Sequence, residues 1–475
     1  GRRYAIFGGV ALGLALYTYI AARLLPFLVI AICVAEWRTA TKRWRELAVL
    51  VAVSIAVFAP EGVYFIQHRT ELLQRQAAVS VFNPNPDVEG SHDTPLQSVL
   101  NTAGMFFVRG DENIRHDLPY RPVFDPVQAA FFVAGLGLSL WRAQRQVPYR
   151  WPLLWLLVMS LPSALSHESP SFFRSVSVAP ATFLFPGLAL AELGRWRRWA
   201  FAAGGLVALG SAALTFNLYF GQWAHNSATY WAYDGNVTRL APWVTANTAP
   251  GETYFALDHR STVEFLAPTS QVDRWQREES AAIPIPAAGL KDTTYVAGPT
   301  AALGQIASAM LPGLQPLPHS TAPDGQADYL AFRWPALAAA GLLAGKQPLA
   351  AAMGQDFRLA GFELVSNAGM PALDLFWQPI QPAGPYDLYV HLIDSSGRQI
   401  AQSDRLVWPI DEGPPKDDLL LTQHSLNVPP GMYQAEIGAV HRSAADRSVL
   451  LGRPIGQPVR IRVDIPPSPS GTRSG

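Results

Sequence analysis

Six ionisable side chains crowd into the thirteen residues from Gly110 to Pro122: Asp111, Glu112, Arg115, His116, Asp117 and Arg121, in a segment punctuated by Pro119 and Pro122. Cations this close together suit an anion of high charge density, above all a phosphate held by charge-assisted hydrogen bonds. Asp111 and Glu112 suit water or hydroxyl groups. A second group falls in Ser166-His167-Glu168-Ser169-Pro170-Ser171-Phe172-Phe173-Arg174, where His167, Glu168 and Arg174 could bind an anionic headgroup or shuttle a proton. A third is Arg23, in Tyr17-Thr18-Tyr19-Ile20-Ala21-Ala22-Arg23-Leu24-Leu25-Pro26, whose planar fork of donors fits a phosphate. Plainer readings stand beside these: a solvated loop with surface pairs, a trio that pairs with itself, and an arginine that anchors a helix end by snorkelling.

These groups need elements to position them. In the first 220 residues lysine and arginine gather at the ends of apolar stretches, twelve of the nineteen in four clusters: Arg2 and Arg3; Arg38, Lys42, Arg43 and Arg45; Arg142, Arg145 and Arg150; Arg195, Arg197 and Arg198. If every cluster is cytoplasmic, as the positive-inside rule asks, the apolar stretches cross in pairs. Tyr4 to Tyr19 runs out and Leu24 to Trp37 returns, each shorter than the roughly 20 residues of a full span. Leu47 to Ile66 runs out and Pro126 to Trp141 returns, Pro152 to Ser166 runs out and Val176 to Leu193 returns, and Ala200 to Phe220 runs out last. The expected membrane domain, residues 1–220, is a multi-pass α-helical one with about seven crossings and an external loop at residues 67–125. In that loop Leu96 to Val108 reads as a helix lying in the interface, with Met105, Phe106 and Phe107 toward lipid. The expected location is the inner (plasma) membrane of a bacterial cell, with residues 221–475 extracytoplasmic.

The pattern changes after Phe220. Short apolar runs at Thr253 to Leu257, Thr293 to Val296 and Tyr329 to Trp334, with a helical stretch at Ala301 to Met310, predict an external α/β unit over residues 221–350. Pro-rich segments such as Ile283-Pro284-Ile285-Pro286 read as linkers within it. Alternation in Phe357 to Leu364, Leu373 to Trp377, Asp387 to Ile393, Gln399 to Asp404, Met432 to Val440 and Val459 to Val463 predicts a C-terminal antiparallel β-sandwich at residues 351–465. Residues 466–475 have the composition of a disordered tail. The formal net charge is zero over 475 residues, so no basic field points to nucleic acid. The single cysteine, Cys33, precludes an intrachain disulfide scaffold. Phosphate-binding loops, dinucleotide glycine fingerprints, CxxC and HExxH motifs are all missing, which argues against a soluble nucleotide-sugar enzyme. The chain opens on glycine, and the expectation is that it is the C-terminal part of a longer polypeptide.

A series of motifs along roughly residues 1 to 260 resembles bacterial membrane glycosyltransferases of the GT-C superfamily, in the branch of dolichyl-phosphate-mannose protein mannosyltransferases and aminoarabinose transferases. The series is Tyr17-Thr18-Tyr19 with Arg23 and Pro26; Pro60, Tyr64, His68, Arg75 and Val79-Ser80-Val81-Phe82; Gly110-Asp111-x-Asn113-x-Arg115-His116-x-Leu118-Pro119-x-Arg121-Pro122 with Asp125-Pro126; and His167, Arg174 and Pro180. The motifs are moderately specific as a series and weak one by one. The resemblance implies an inverting transfer of sugar from a polyprenyl phosphate carrier to a glycan, lipid or protein acceptor, with a catalytic carboxylate in an early external loop upstream of Gly1. This chain would then supply the carrier side. Arg23, Arg75, Arg115, His116, Arg121, His167 and Arg174 would bind the donor phosphate, and Asp111, Glu112 and Tyr19 would contact acceptor or sugar. Relatives tend to carry Thr-Lys-Gly at the short-helix turn, whereas here Tyr19 follows Thr18, so Arg23 is assigned by chemistry and not by match. Glu61, after Pro60, is a further carboxylate near the outer end of its span. The residues require no cofactor and assign no metal ligands, while leaving a divalent metal open. The competing class is a non-enzymatic membrane-anchored carbohydrate-binding or cell-envelope protein; a transporter ranks third, because ionisable residues are scarce in mid-span.

Overall fold

The computed structural model describes residues 1–70, 79–82, 93–249, 251–267, 274–286, 291–367, 370–381, 385–407, 418–441 and 453–466. It divides into two units, Gly1–Thr229 and Tyr230–Gly475.

The first unit is helical: α1 (Arg2–Ala15), α2 (Leu25–Ala35), α3 (Trp37–Lys42), α4 (Trp44–Gln67), α5 (Pro95–Gly104), α6 (Pro126–Ala143), α7 (Arg150–Ala164), α8 (Ala179–Thr182), α9 (Leu184–Trp196) and α10 (Trp199–Phe216). A 3-10 turn at Ile20–Leu24 joins α1 to α2, and α10 runs on as a π-helical turn through Trp223. These elements coincide closely with the apolar stretches of the sequence. Among the described residues three helical segments are long and apolar enough to cross a membrane: Trp44–Gln67, Val176–Trp196 and Trp199–Trp223.

Start signals are local. Asp125 caps α6 by accepting from Val127 N–H (3.0 Å) and Gln128 N–H (2.9 Å), with Pro126 in the first turn, where its missing N–H is not needed. Thr94 and Gln97 form a reciprocal capping box on α5. Small residues set the contacts between helices. A Cβ on Gly9 would stand 2.6 Å from the Leu50 carbonyl oxygen and one on Gly13 2.7 Å from Val57 Cβ, so α1 lies directly on α4. One apolar cluster gathers Leu28, Met105, Phe106, Phe124, Phe132, Met159, Val178 and Phe185. Met105 and Phe106 are therefore core residues, which corrects their expected lipid-facing placement. The chain leaves α5 at Gly104, and backbone hydrogen bonds from Val123 to Met105 and from Phe124 to Phe106 turn both side chains inward; Phe107 remains exposed.

The second unit begins with helices packed on a mixed sheet. Its helices are α11 (Gly235–Asn247), α12 (Arg260–Leu266), α13 (Ala302–Met310) and α14 (Ala336–Gly345). Its first sheet has the order β2-β1-β4-β6-β5, from β1 (Thr253–Ala256), β2 (Trp275–Gln276), β4 (Thr293–Ala297), β5 (Gln315–Pro316) and β6 (Leu330–Trp334). β1 pairs parallel with β2 and β4, and β6 antiparallel with β4 and β5. Alternate residues serve two cores: Phe255 and Val296 pack with α11 and α12, while Tyr254, Ala256, Tyr295 and Ala297 face the opposite cluster. Burial on both faces explains why these strands read as continuous apolar runs.

The C-terminal region is two antiparallel sheets. One is β11 (Gln399–Val407), β10 (Tyr386–Ile393), β13 (Gly431–His441) and β14 (Arg453–Ile465); the other has the order β3-β12-β9-β8-β7, from β3 (Ile283–Ile285), β12 (Leu419–Ser425), β9 (Met370–Pro379), β8 (Phe357–Asn367) and β7 (Gln347–Met353). Inward residues of both, among them Phe357, Leu375, Trp377, Tyr386, Leu388 and Ile437, form one core. Ile283–Ile285, read from its prolines as a linker, is instead a buried strand paired with Leu419–Leu421; proline is tolerated there because β3 lies at the sheet edge. Phe376, Leu419 and Leu421 belong to the core under the mixed sheet, and Tyr254 of β1 hydrogen-bonds the Asp418 carboxylate. The α/β and antiparallel parts of this unit are thus knit together.

Candidate functional site in the helical unit

The loop from Gly110 to Arg121 is closed at its base by two backbone hydrogen bonds: Gly110 N–H to the Tyr120 carbonyl (3.0 Å) and Tyr120 N–H to the Asp111 carbonyl (2.7 Å). Glycine is required at 110, since a Cβ would stand 1.8 Å from the Arg121 carbonyl oxygen and 2.7 Å from the Phe172 ring. Tyr120 makes the return turn at φ 66°, a left-handed conformation that is costly for a bulky side chain.

Asp111 is the buried centre of this loop. Its Oδ2 accepts from His116 Nδ1 (2.6 Å) and from the Phe172 backbone N–H (2.7 Å), and its Oδ1 accepts from Asn113 N–H (2.9 Å). Donation from Nδ1 to a carboxylate fixes the tautomer in which Nε2 carries a lone pair. The imidazole remains partly exposed. It lies parallel to Phe173 with ring centres 5.7 Å apart, and Tyr19 meets Phe173 edge-on at 4.7 Å. The structure therefore brings Asp111, His116 and Tyr19 of the expected residues into one neighbourhood through two phenylalanines that the sequence did not single out. Trp223 donates to the Ile114 carbonyl (2.7 Å), tying the end of the last long helix to the same loop.

Glu112, next in sequence, faces elsewhere. It lines a cleft of about 320 Å³ with Arg109, Tyr120, Asp93, Asn101 and Ser169. The Tyr120 hydroxyl is held by Glu112, and that carboxylate pushes the phenol pKa up while Arg109 opposes it; the Arg109 guanidinium stacks 4.0 Å above the Tyr120 ring. Asp93 Oδ2 accepts from Asn101 Nδ2 (2.9 Å) and Ser169 Oγ (3.0 Å). Two carboxylates, an amide, a hydroxyl, a phenol and a guanidinium in one cleft supply both donors and acceptors, the mixture that a polyhydroxylated ring needs. Arg109, Tyr120, Asp93, Asn101 and Ser169 were missed from sequence. Only the glycine and tyrosine that close the loop were visible signals, and neither says which way a neighbour points.

Arg121 heads a third feature. Its guanidinium binds Asp117 Oδ2 (3.2 Å) and Thr215 Oγ1 of α10 (2.9 Å). It borders a mainly apolar groove of about 760 Å³ that includes Phe172, Phe183, Phe216 and Phe220. At the foot of that groove Ser211 hydrogen-bonds the Asp125 carboxylate. Arg174 staples its own loop through Ser166 Oγ, the Glu168 carbonyl (3.2 Å) and Glu168 Oε2 (3.0 Å). His167 is buried, with Nδ1 3.0 Å from the Val79 carbonyl oxygen. Arg23 stands on the Phe65 ring of α4 at 4.7 Å, and its buried Nε has no hydrogen-bond partner among the described residues. Arg115 is exposed on the Gly110–Arg121 loop, its backbone N–H held by Asn113 Oδ1 (3.0 Å). Arg75 lies outside the described residues. Glu61, which shares α4 with Phe65, keeps a buried Oε2 without a partner among the described residues. Among the described residues no three His, Cys, Asp or Glu side chains gather in a metal-binding group.

Comparisons with protein-family models, with curated proteins and with solved structures find no match for this chain.

Proposed function

We propose that this chain is a multi-pass membrane glycosyltransferase that moves a sugar from a polyprenyl phosphate carrier to an extracytoplasmic glycan, lipid or protein acceptor, with inversion. The observation that carries the reading is that one loop, Gly110 to Arg121, bears three complementary features. It holds the Asp111–His116 pair, contributes Glu112 and Tyr120 to a polar cleft, and sets Arg121 at the head of an apolar groove.

In this mechanism the prenyl chain lies in the groove against Phe183, Phe216 and Phe220, and its phosphate meets Arg121. The acceptor, its polyhydroxylated part held by the polar cleft, reaches past the loop so that its reacting hydroxyl meets the exposed face of His116 and attacks the anomeric carbon while the bond from that carbon to the phosphate oxygen breaks. His116 Nε2 takes the hydroxyl proton, in place of the upstream carboxylate that the resemblance implies and of the phosphate-binding role it gives to His116, and Asp111 stabilises the resulting imidazolium. Arginine favours departure of the phosphate as its negative charge grows. The helices cross the inner membrane in pairs, about seven times by their apolar lengths, and the two antiparallel sheets form a β-sandwich on the extracytoplasmic side.

A polyprenyl phosphate carrying a photoreactive group in its chain tests the reading. Labelled peptides are expected from the Phe183 and Phe216–Phe220 segments, with labelling competed by unmodified polyprenyl phosphate and weakened in Arg121→Ala. Labelling elsewhere, or labelling that polyprenyl phosphate does not compete, contradicts it. Glycan binding without any carrier binding would instead favour a non-enzymatic carbohydrate-binding protein.

A further inference from the structure

Away from that loop, a second concavity of about 560 Å³ opens between α7 and the α8–α9 segment, lined by Tyr149, Trp151, Trp155, Pro180, Leu184 and Leu188 among others. Its lining is almost wholly apolar. Trp155 holds the two walls together by donating Nε1 to the Ser177 carbonyl (2.8 Å). Leu184, Leu188 and Glu192 follow one another at a spacing of four, so they share a face of α9, and the apolar slot leads along that face to Glu192.

Charge at that end is unbalanced. Glu192 is shared by Arg142 (2.8 Å) and Arg195 (3.5 Å), and Arg142 also donates to the Tyr149 hydroxyl (2.8 Å), which borders the slot. Glu36 pairs with Arg150 (3.4 Å). Arg145, exposed in the same connector, has no carboxylate partner among the described residues. Four arginines thus face two carboxylates at the mouth of an apolar slot between helices. A basic pocket at the end of an interhelical slot is the arrangement that binds anionic lipid headgroups, with an acyl chain in the slot and exposed tryptophan at the interface.

We propose that this slot binds one anionic glycerophospholipid, with an acyl chain between Trp151, Trp155 and Leu188 and its phosphate at the Arg142–Glu192–Arg195 cluster and Arg145. The site is separate from the transfer site, and it rests on the reading of these helices as membrane-spanning. An anionic headgroup gains roughly fivefold in affinity for each basic side chain it meets near a membrane surface, so phosphatidylglycerol is expected to be retained roughly tenfold or more over phosphatidylcholine when two such side chains act.

Native mass spectrometry of the full chain released from nanodiscs of equimolar phosphatidylglycerol and phosphatidylcholine measures this retention. Wild type is expected to carry one phosphatidylglycerol. Arg145→Gln together with Arg195→Gln, both exposed changes, should reduce its excess over phosphatidylcholine severalfold, and Leu188→Trp, which fills the slot, should remove the bound lipid of either kind. Equal retention of the two lipids by wild type overturns the proposal, as does unchanged retention in the charge variant. If Leu188→Trp fails to fold, Leu184→Phe narrows the same slot with a smaller change. Failure of wild type to enter nanodiscs at all would overturn the membrane reading itself, whereas entry without lipid preference overturns only the bound-lipid site.

Discussion

The helical unit buries Ser98, Thr102, Ser139, Ser163 and Thr182, and it exposes Phe7, Trp37, Trp44, Leu157, Trp199, Leu206 and Phe216. The second unit buries Tyr254, Tyr295, Trp334, Phe357, Phe376 and Trp377, and few of the large apolar side chains among its described residues are exposed. Water drives large apolar groups inward. In lipid that drive vanishes, and helices instead meet through small residues and hydroxyls, as Gly9 and Gly13 do on α4 and as Ser163 does with Thr102 (3.1 Å). The contrast is the one that membrane association of the first unit predicts, and the Asp111–His116 loop belongs to that unit.

Cutting the chain gives the sharpest contrast. Residues 230–475 expressed alone should be soluble and cooperative in unfolding, because three of the apolar clusters close within them. A cut at residue 350 should leave the upstream piece aggregated, since Ile283 and Ile285 would lose Leu419–Leu421 and the shared core would be opened. Circular dichroism melts of the two pieces check this. A soluble, cooperatively melting piece 230–350 would show that the α/β and antiparallel parts are independent after all.

Activity should respond next most strongly. His116→Ala is expected to lower transfer by about 10²- to 10⁴-fold, the range for a general base, with little change in expression, because the imidazole is partly exposed. Asp111→Asn should lower transfer as well, and it should also loosen the loop, since its carboxylate accepts three hydrogen bonds. If initial rates in both variants equal wild type, the pair is structural only.

Stability against pH separates the units in a finer way. Burial, reinforced by Glu363, pushes the Asp374 carboxyl up to about 6 against the hydrogen bond from Gln423. A raised acid pKa contributes stability below the unfolded value, near 3.8, and that contribution is lost as pH climbs through 6. Complete burial lowers the His424 imidazole to about 3, so its contribution is present above the unfolded value near 6.5 and is lost as pH falls toward 3. Residues 230–475 should therefore lose stability through His424 as pH falls from about 6.5 toward 3, and through Asp374 as pH rises from about 4 to 6, so the two slopes oppose each other in that window. Asp374→Asn should remove the second slope, worth about 3 kcal/mol at most, in denaturant melts at pH 4 and pH 7. An unchanged slope would show that Asp374 is not buried as described.

The helices were legible because apolar length and terminal charge are properties of consecutive residues. The strands with clean alternation, such as Tyr386–Ile393 and Gly431–His441, were legible for the same reason. What failed was non-local. Ile283-Pro284-Ile285 reads as a linker until Leu419–Leu421, far along the chain, pairs with it. Met105 and Phe106 read as lipid-facing until Val123 and Phe124 turn them inward. In the site, the crowding of Asp111, Glu112, His116 and Arg121 was visible. That adjacent carboxylates divide between a buried clamp on the His116 imidazole and an open cleft was not, because the direction of each side chain depends on Gly110 and on the Phe172 loop beneath it.

Conversion of a polyprenyl phosphate sugar is the most direct measurement. Purified full chain in proteoliposomes, offered a panel of polyprenyl phosphate hexoses and pentoses with cell-envelope acceptors, should release polyprenyl phosphate and label an acceptor with at least one sugar, and His116→Ala should slow that release by about 10²- to 10⁴-fold while still binding the carrier. Release at the same rate from wild type and His116→Ala, or no release with any carrier that the wild type demonstrably binds, would contradict the account.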